Sequence, residues 1–459
     1  MGYNFIECER DQLFMMPQDM REWLPEDHPV WFLIETVRGM DTSDFYSAYR
    51  QDGKGGAAFD PDMMVTLVLF SYMHGLRSSR KIEEACTLNV AFRVICGNQV
   101  PDHTTIARFR KRNAANMDVL FAESVKLCGE VGLVDSSLIA VDGTKIRASA
   151  SMDKNRSLEW YREDFNRWLR ECDEVDAAED ELYGEDRRGD ELPDTINTPE
   201  KRRKFIEDYF RRREQEAEEA AAEQAEKIAR REAEEKETGK KKRGRKLKSP
   251  EKVRSEFERN TRINTTDPDS HMMKGSKGFL QGYNAQVAVT EGQIIVAADL
   301  TNREADWDLL CPTVQKAREN LERAGVEGAI ESVVADAGYA SDSNLKKTKE
   351  EPCEFFIATK KDRIQAREMK DTPAVEGPPA EGLTPRQRME HKLKTENGRE
   401  TFKKRGQTVE PVFGQMKDWL GFDRCMMRGL EACSGEWQLM AAVHNLWKLF
   451  RHSVVPAAT

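Results

Sequence analysis

Apolar positions recur at helical spacing through the first third of the chain. An acidic cap followed by proline, Asp60-Pro61-Asp62, reads as a helix start, ahead of Met63, Leu67, Phe70 and Met73 or His74. A second helix is expected from Ser78 or Ser79, with Ile82, Ala85 and Cys86 on one face, and a third from Thr104 or Thr105, with Ile106 and Phe109 turned inward. The period changes at Ser137-Leu-Ile-Ala-Val-Asp142-Gly143-Thr144, a short continuous apolar run that predicts a strand buried on both faces. Similar signals at 283–289 and 294–299, joined by a turn at Glu291-Gly292, predict a hairpin. A helix over 304–324 follows, with Leu309, Leu310, Val314, Ala317 and Leu321 facing a core, then strands at 332–336 and 354–358 separated by a short helix. A loop rich in Pro and Gly (372–385) precedes a helical region, 386–452. The pattern is that of an all-α region, 1–135, ahead of an α/β domain.

Between 154 and 264 the strand signal disappears. Residues 200–237 are almost all Glu, Ala, Arg, Lys and Gln, which favours a solvated helix or a weak coiled coil inserted into the α/β domain. Charge marks the same interruption. The chain of 459 residues carries a formal −10, but residues 153–238 hold 29 Asp/Glu against 18 Lys/Arg, a net of −11, so the rest stands at +1. Residues 239–254 then reverse sign with nine basic residues and one acidic, a stretch suited to phosphate backbone. No window approaches the twenty or so apolar residues of a membrane helix, and charges within 1–9 leave no secretory core, so a cytoplasmic protein is expected. The nine cysteines form no Cys-x-x-Cys pair and read as buried or incidental thiols, and Trp307, Trp437 and Trp447 as core.

Candidate chemistry lies at the strand ends. One strand ends at Asp142 and another at Asp336; if they are parallel neighbours, both carboxylates reach the same edge of the sheet. With no obvious lysine partner they would repel each other, and a divalent cation such as Mg²⁺ or Mn²⁺ resolves that repulsion. A third acid is sought on the helical run Val409-Glu410-Pro411-Val-Phe413-Gly-Gln-Met416-Lys417. There Val409, Val412, Phe413, Met416 and Leu420 form an apolar stripe, and Glu410 and Lys417 share another side. Glu410 would complete a metal site and Lys417 could hold a phosphate; Pro411 puts Glu410 at the first turn. In the N-terminal region, the helix carrying Arg108, Arg110, Lys111 and Arg112 follows another helix and a turn, the outline of a helix-turn-helix module.

The order of these parts resembles the DDE transposases of bacterial insertion sequences. It runs from strand-Asp142 through a hairpin and helix to strand-Asp336-x-Gly-Tyr and helix-Glu410-x6-Lys417. Before it stands Pro101-Asp-His-Thr-Thr-Ile-Ala-Arg-Phe-Arg-Lys-Arg112, and after it Glu436-Trp-x-Leu-Met-Ala-Ala-Val-His-Asn-Leu-Trp447. Many relatives carry Tyr-x2-Arg-x3-Glu where this chain has Phe402-x2-Arg405-x4-Glu410. The resemblance implies a ribonuclease-H-like catalytic domain over 136–153 and 265–452, interrupted by the charged insertion 154–264 and preceded by a DNA-binding domain over 1–135. Asp142 and Asp336 are 194 positions apart; without the 111 residues of the insertion the separation is 83, room for short strands, one helix and loops. It further implies two Mg²⁺ or Mn²⁺ ions held by Asp142, Asp336 and Glu410, with strand cleavage and strand transfer at transposon ends. DNA contacts are expected from Arg108, Arg110, Lys111, Arg112, Arg405 and Lys417. The implied partners are terminal inverted repeats and target DNA, bound by a homodimer associated with the nucleoid. Two other classes are weighed, a catalytically silent transposase-derived DNA-binding protein and a haloacid-dehalogenase-like phosphatase. Ala140 stands where the phosphatase nucleophile would be.

Overall fold

The computed structural model describes residues 19–47, 49, 58–157, 160, 170, 174, 198–238, 247–275 and 278–454. Helix starts follow local capping chemistry. In α1 (Pro29–Gly39) the His28 ring accepts from Val30 N, and in α2 (Pro61–Met73) the Asp60 carboxylate accepts from Met63 N. Residues 64–73 of α2 are buried all round, so this helix is the centre of the N-terminal bundle. Around it lie α3 (Ser79–Leu88), α4 (Val90–Ile95), α5 (His103–Arg112) and α6 (Met117–Glu130). Asp102 starts α5 by accepting from Thr104 N and Thr105 N at 2.9 Å each, which moves the start just ahead of the expected one. The single turn expected between α3 and α5 instead contains α4, capped by Asn89.

The sheet is built on β1 (Leu138–Arg147). On one side β5 (Gly278–Thr290) runs antiparallel to it, with Asp142 opposite Val287; on the other β7 (Ser332–Ala335) runs parallel, with Val141 opposite Ala335. Beyond β7 lies β8 (Glu354–Ile357), also parallel. The far edge of β5 takes β4 (His271–Gly275) along its first half and β6 (Ile295–Thr301) along its second, with a register shift at Ala288/Val289. The hairpin turn has its positive φ at Gln293 (61°), while Gly292 is required for space: a Cβ there would stand 2.8 Å from Leu133 O. The helix after β6, α9 (Leu310–Arg323), begins six residues later than its pattern suggested and leaves 302–309 as a loop.

The insertion leaves and returns through a short antiparallel pair, β2 (Asn155–Ser157) with β3 (Arg262–Asn264). Its described part is a 40-residue helix, α7 (Pro199–Thr238), against which α8 (Pro250–Asn260) folds back, with Arg213 over the Phe257 ring and Arg254 3.7 Å from Glu218. The helix is less uniformly solvated than its composition suggested, since Arg202, Ile206, Tyr209 and Ala217 are buried. Of the basic stretch, 240–246 lie outside the described residues, while Lys248 and Arg254 pair with Glu256 and Glu218.

The last helix, α15 (Leu430–Val454), ties the two regions together. Asn445 both donates to Ile295 O and accepts from Ile295 N at 2.9 Å, supplying the exposed edge of β6 with the partners a further strand would provide, and it also donates to Ser124 on α6. Glu436, with no exposed surface, accepts from Tyr72 of α2 (2.7 Å), from Met426 N and Met427 N, and lies 3.5 Å from Arg110 of α5. Among the described residues no helix is long and apolar enough to cross a membrane, and Cys86, Cys96, Cys128, Cys311, Cys353, Cys425 and Cys433 are free thiols. Truncating Arg110 to Met strands Glu436 as a buried charge and is expected to cost about 3–5 kcal/mol in urea unfolding. Replacing the exposed Arg108 by Met is expected to leave stability within about 0.5 kcal/mol.

Candidate active site

The parallel register of β1 and β7 sets the site. The first strand does not end at Asp142, as its apolar run suggested: β1 continues to Arg147 because its polar second half is held by pairing with β5. Asp142 therefore lies within β1, at the level where β7 stops, and since Val141 lies opposite Ala335 the register sets it beside Asp336, the residue that follows β7. Asp336 ends its strand by capping a turn over Ala337–Tyr339, its Oδ1 accepting from Gly338 N at 2.9 Å. A side chain at 338 would meet that oxygen at 3.0 Å, which accounts for the glycine of Asp-x-Gly-Tyr. Tyr339 fixes the turn from inside: its hydroxyl donates to Gln286 Oε1 on β5. Burial, with Asp142, Asp306 and Asp336 close by, raises the phenol well above its usual range, so it remains a donor.

Asp142 is not left to repel its neighbour. Its Oδ2 accepts from Arg405 at 2.7 Å, and the pair is largely withdrawn from solvent, 15% and 7% exposed. Arg405 comes from α13 (Glu396–Thr408), which packs against β7 and β8. That helix is capped at Val409 and α14 (Glu410–Gly414) follows directly: Val409 keeps αR angles and donates to Arg405 O at 3.1 Å, while Pro411 has no N–H to add to the ladder. Glu410 is 64% exposed, with Oε1 4.0 Å from Arg405, so the guanidinium stands between the two carboxylates.

The chain continues through a π-helical turn, Gln415–Trp419, with Met416 buried. Lys417 leaves this turn toward β1, donating to Thr144 Oγ1 and to Lys145 O at 3.2 Å. Thr144 follows Asp142 by two and shares its face of the strand, so Asp142, Arg405 and Lys417 gather on that face. Burial lowers the Lys417 ammonium from its usual value.

A fourth acid was not read from the sequence. Asp306, in the loop ahead of α9, accepts through Oδ1 from Asn284 (2.7 Å), Gln286 (3.0 Å) and Lys145 (3.3 Å). Gly143 admits this cluster, because a Cβ there would meet Gln286 Nε2 at 2.2 Å and Asp306 Oδ1 at 3.1 Å. Its signal was weak: Asp306 lies five residues past the end of β6, in a segment whose pattern predicted the helix over 304–324. Trp307, expected in the core, is half exposed beside it, whereas Trp437 is buried and Trp447 packs partly buried.

Residues 18–112 match the family described as Transposase domain (DUF772), and residues 259–446 match the Transposase DDE domain. The chain belongs to the DDE transposases of insertion-sequence type. No curated protein and no solved structure matches it. In this transposase β1, with Asp142, lies outside the matched stretches, and its pairing with β5 and β7 is what joins it to the DDE domain.

Of the basic residues expected on α5, Arg108 and Arg112 are exposed and Lys111 half-buried. Arg110 is corrected: it is 4% exposed and committed to Tyr72 OH (2.6 Å), Arg77 O (2.8 Å) and Glu436, so it braces the fold instead of facing solvent. The donor chemistry of Asp142, Asp336 and Glu410 suits a hard divalent cation, and the guanidinium on Asp142 is itself a positive charge the carboxylates already attract. As they stand, no three acidic, histidine or cysteine side chains among the described residues form one ligand set. Tyr339→Phe leaves Gln286 Oε1 buried without its donor and is expected to cost about 1–3 kcal/mol, read as a lower urea midpoint at unchanged slope.

Proposed function

We propose that this transposase binds the ends of a mobile DNA element and cuts and rejoins DNA strands at the edge where Asp142 and Asp336 meet. The observation that supports this is the parallel pairing Val141↔Ala335, whose register sets Asp142, within β1, next to Asp336, at the end of β7, across 194 positions of sequence. The strand order supports the ribonuclease-H-like reading, with antiparallel neighbours on one side of β1 and parallel ones on the other.

Asp142, Asp336 and Glu410 are the residues that would hold two Mg²⁺ or Mn²⁺ ions; when bound, these supply Lewis acidity for activating a water or a DNA 3′-hydroxyl and for stabilising the leaving oxygen. The chain's own groups do the rest. Lys417 and Arg405 present positive charge on the Asp142 face of β1, where a backbone phosphate would be drawn and oriented. Arg108, Lys111 and Arg112 are the residues of α5 available for phosphate contact, Arg110 being internal. Two copies would hold the two ends of the element together, acting on inverted repeats and target DNA in the nucleoid.

The test is cleavage of a duplex carrying the element's inverted repeat, in Mg²⁺ or Mn²⁺, alongside a gel-shift measurement of binding. Asp142→Asn, Asp336→Asn and Glu410→Gln are each expected to lower cleavage by about 10³-fold, with DNA binding measured in the absence of divalent cation retained. Full cleavage by any one of them removes that residue from the site.

A further inference from the structure

We propose that Arg405 is an internal counter-ion of the active site: it neutralises Asp142 when no cation is bound and withdraws when one arrives. A DNA phosphate captures the guanidinium as it leaves. Cation and DNA then bind cooperatively, and the complete catalytic site forms only on its substrate. The proposal rests on the reading that Asp142, Asp336 and Glu410 hold a divalent cation.

Three observations converge on it. The guanidinium contacts Asp142 Oδ2 at 2.7 Å and stands 4.0 Å from Glu410, between two of the three acids assigned to the cation. The Asp142–Arg405 pair is largely desolvated, so water screens it poorly, and a second cation brought to the same oxygen meets repulsion that a surface arginine would not exert. The third observation is where Arg405 sits. It lies in the last turn of α13, just ahead of Pro411, which has no N–H to give the ladder joining α13 to α14, although Val409 keeps αR angles and donates to Arg405 O at 3.1 Å. A small bend at that proline would change the Arg405–Glu410 spacing without unwinding either helix.

DNA supplies the complementary half. A phosphate offers a guanidinium the planar, two-pronged acceptor it also finds in a carboxylate. Lys417, on the same face of β1 at Thr144, provides a second positive charge toward which such a phosphate would be drawn. Transfer of Arg405 from Asp142 to phosphate lifts the repulsion at the cation site. By reciprocity, cation binding must strengthen DNA binding by the same factor.

The experiment is Mn²⁺ titration of the full chain, followed by the electron paramagnetic resonance of the free ion, with and without a short DNA duplex. Arg405→Met is expected to bind Mn²⁺ about tenfold tighter than the wild type without DNA, and Arg405→Lys to fall between them. DNA is expected to tighten Mn²⁺ about tenfold in the wild type and to leave Arg405→Met unchanged. Equal or weaker Mn²⁺ binding by Arg405→Met overturns the proposal, as does an equal effect of DNA on both proteins. Asp142→Asn separates the two levels: if it leaves Mn²⁺ binding intact, the reading of the site fails and the counter-ion with it. If it abolishes binding while Arg405→Met gains nothing, the counter-ion alone fails. Should Arg405→Met not fold, the wild type still decides. Phenylglyoxal labelling of Arg405, read by mass spectrometry, is expected to rise severalfold on adding Mn²⁺ without DNA, and unchanged labelling overturns the proposal.

Discussion

Asp142 is a carboxylate in the central strand of a buried sheet, and everything around it answers the need to hold negative charge where water is scarce. Strand β1 cannot move aside, because β5 pairs with it along nine positions and β7 along four. The charge has to be met in place. Arg405 meets it from the end of α13 at 2.7 Å, and Glu410, at the start of α14, stands 4.0 Å from the same guanidinium. Asp336 is handled differently: its oxygens cap their own turn, and that turn is pinned from below through Tyr339 and Gln286. One acid is thus met by a countercharge and the other by the backbone of its own turn.

The N-terminal bundle is joined to this sheet by an equally buried contact. Glu436 gathers Tyr72, Arg110 and two backbone amides at one end of α15, and Asn445 borrows the edge of β6 further along. The segment Glu436 to Trp447, whose likeness to relatives was legible in the sequence, therefore serves assembly. Its residues hold α5 and its exposed arginines at a fixed position relative to the edge where Asp142 and Asp336 meet. The charged insertion is held by the same kind of pairing: its ends are stitched by β2 and β3, and Arg254 of α8 lies 3.7 Å from Glu218 of α7.

Local pattern was enough to reveal the strands carrying Asp142 and Asp336, the hairpin between them, the helical flanks and the interruption by charge. Each of these depends on periodicity or composition within a short window. Two kinds of feature escaped. Short elements completed by a partner, such as α4, β4 and the β2–β3 stem, carry too little apolar periodicity of their own to stand out. Residues whose role is set by what lies across from them were read by type or passed over: Arg110 as one more surface cation, Trp307 as core, and Asp306 not at all.

The sequence by itself determined that two buried strands carry or lead into the acids Asp142 and Asp336 and that a glutamate and a lysine follow in a later helical stretch, because those facts are local to each segment. That β1 runs on past Asp142 to Arg147 depends on its pairing with β5. Tertiary structure alone decided that Asp142 and Asp336 are neighbours, that Arg405 stands on Asp142, and that Arg110 is inside while Arg108 is outside. The reason is physical. Periodicity tells which face of a segment is apolar, but only packing brings a countercharge to a carboxylate, and a buried arginine differs from an exposed one solely in the Glu436 and Tyr72 it meets.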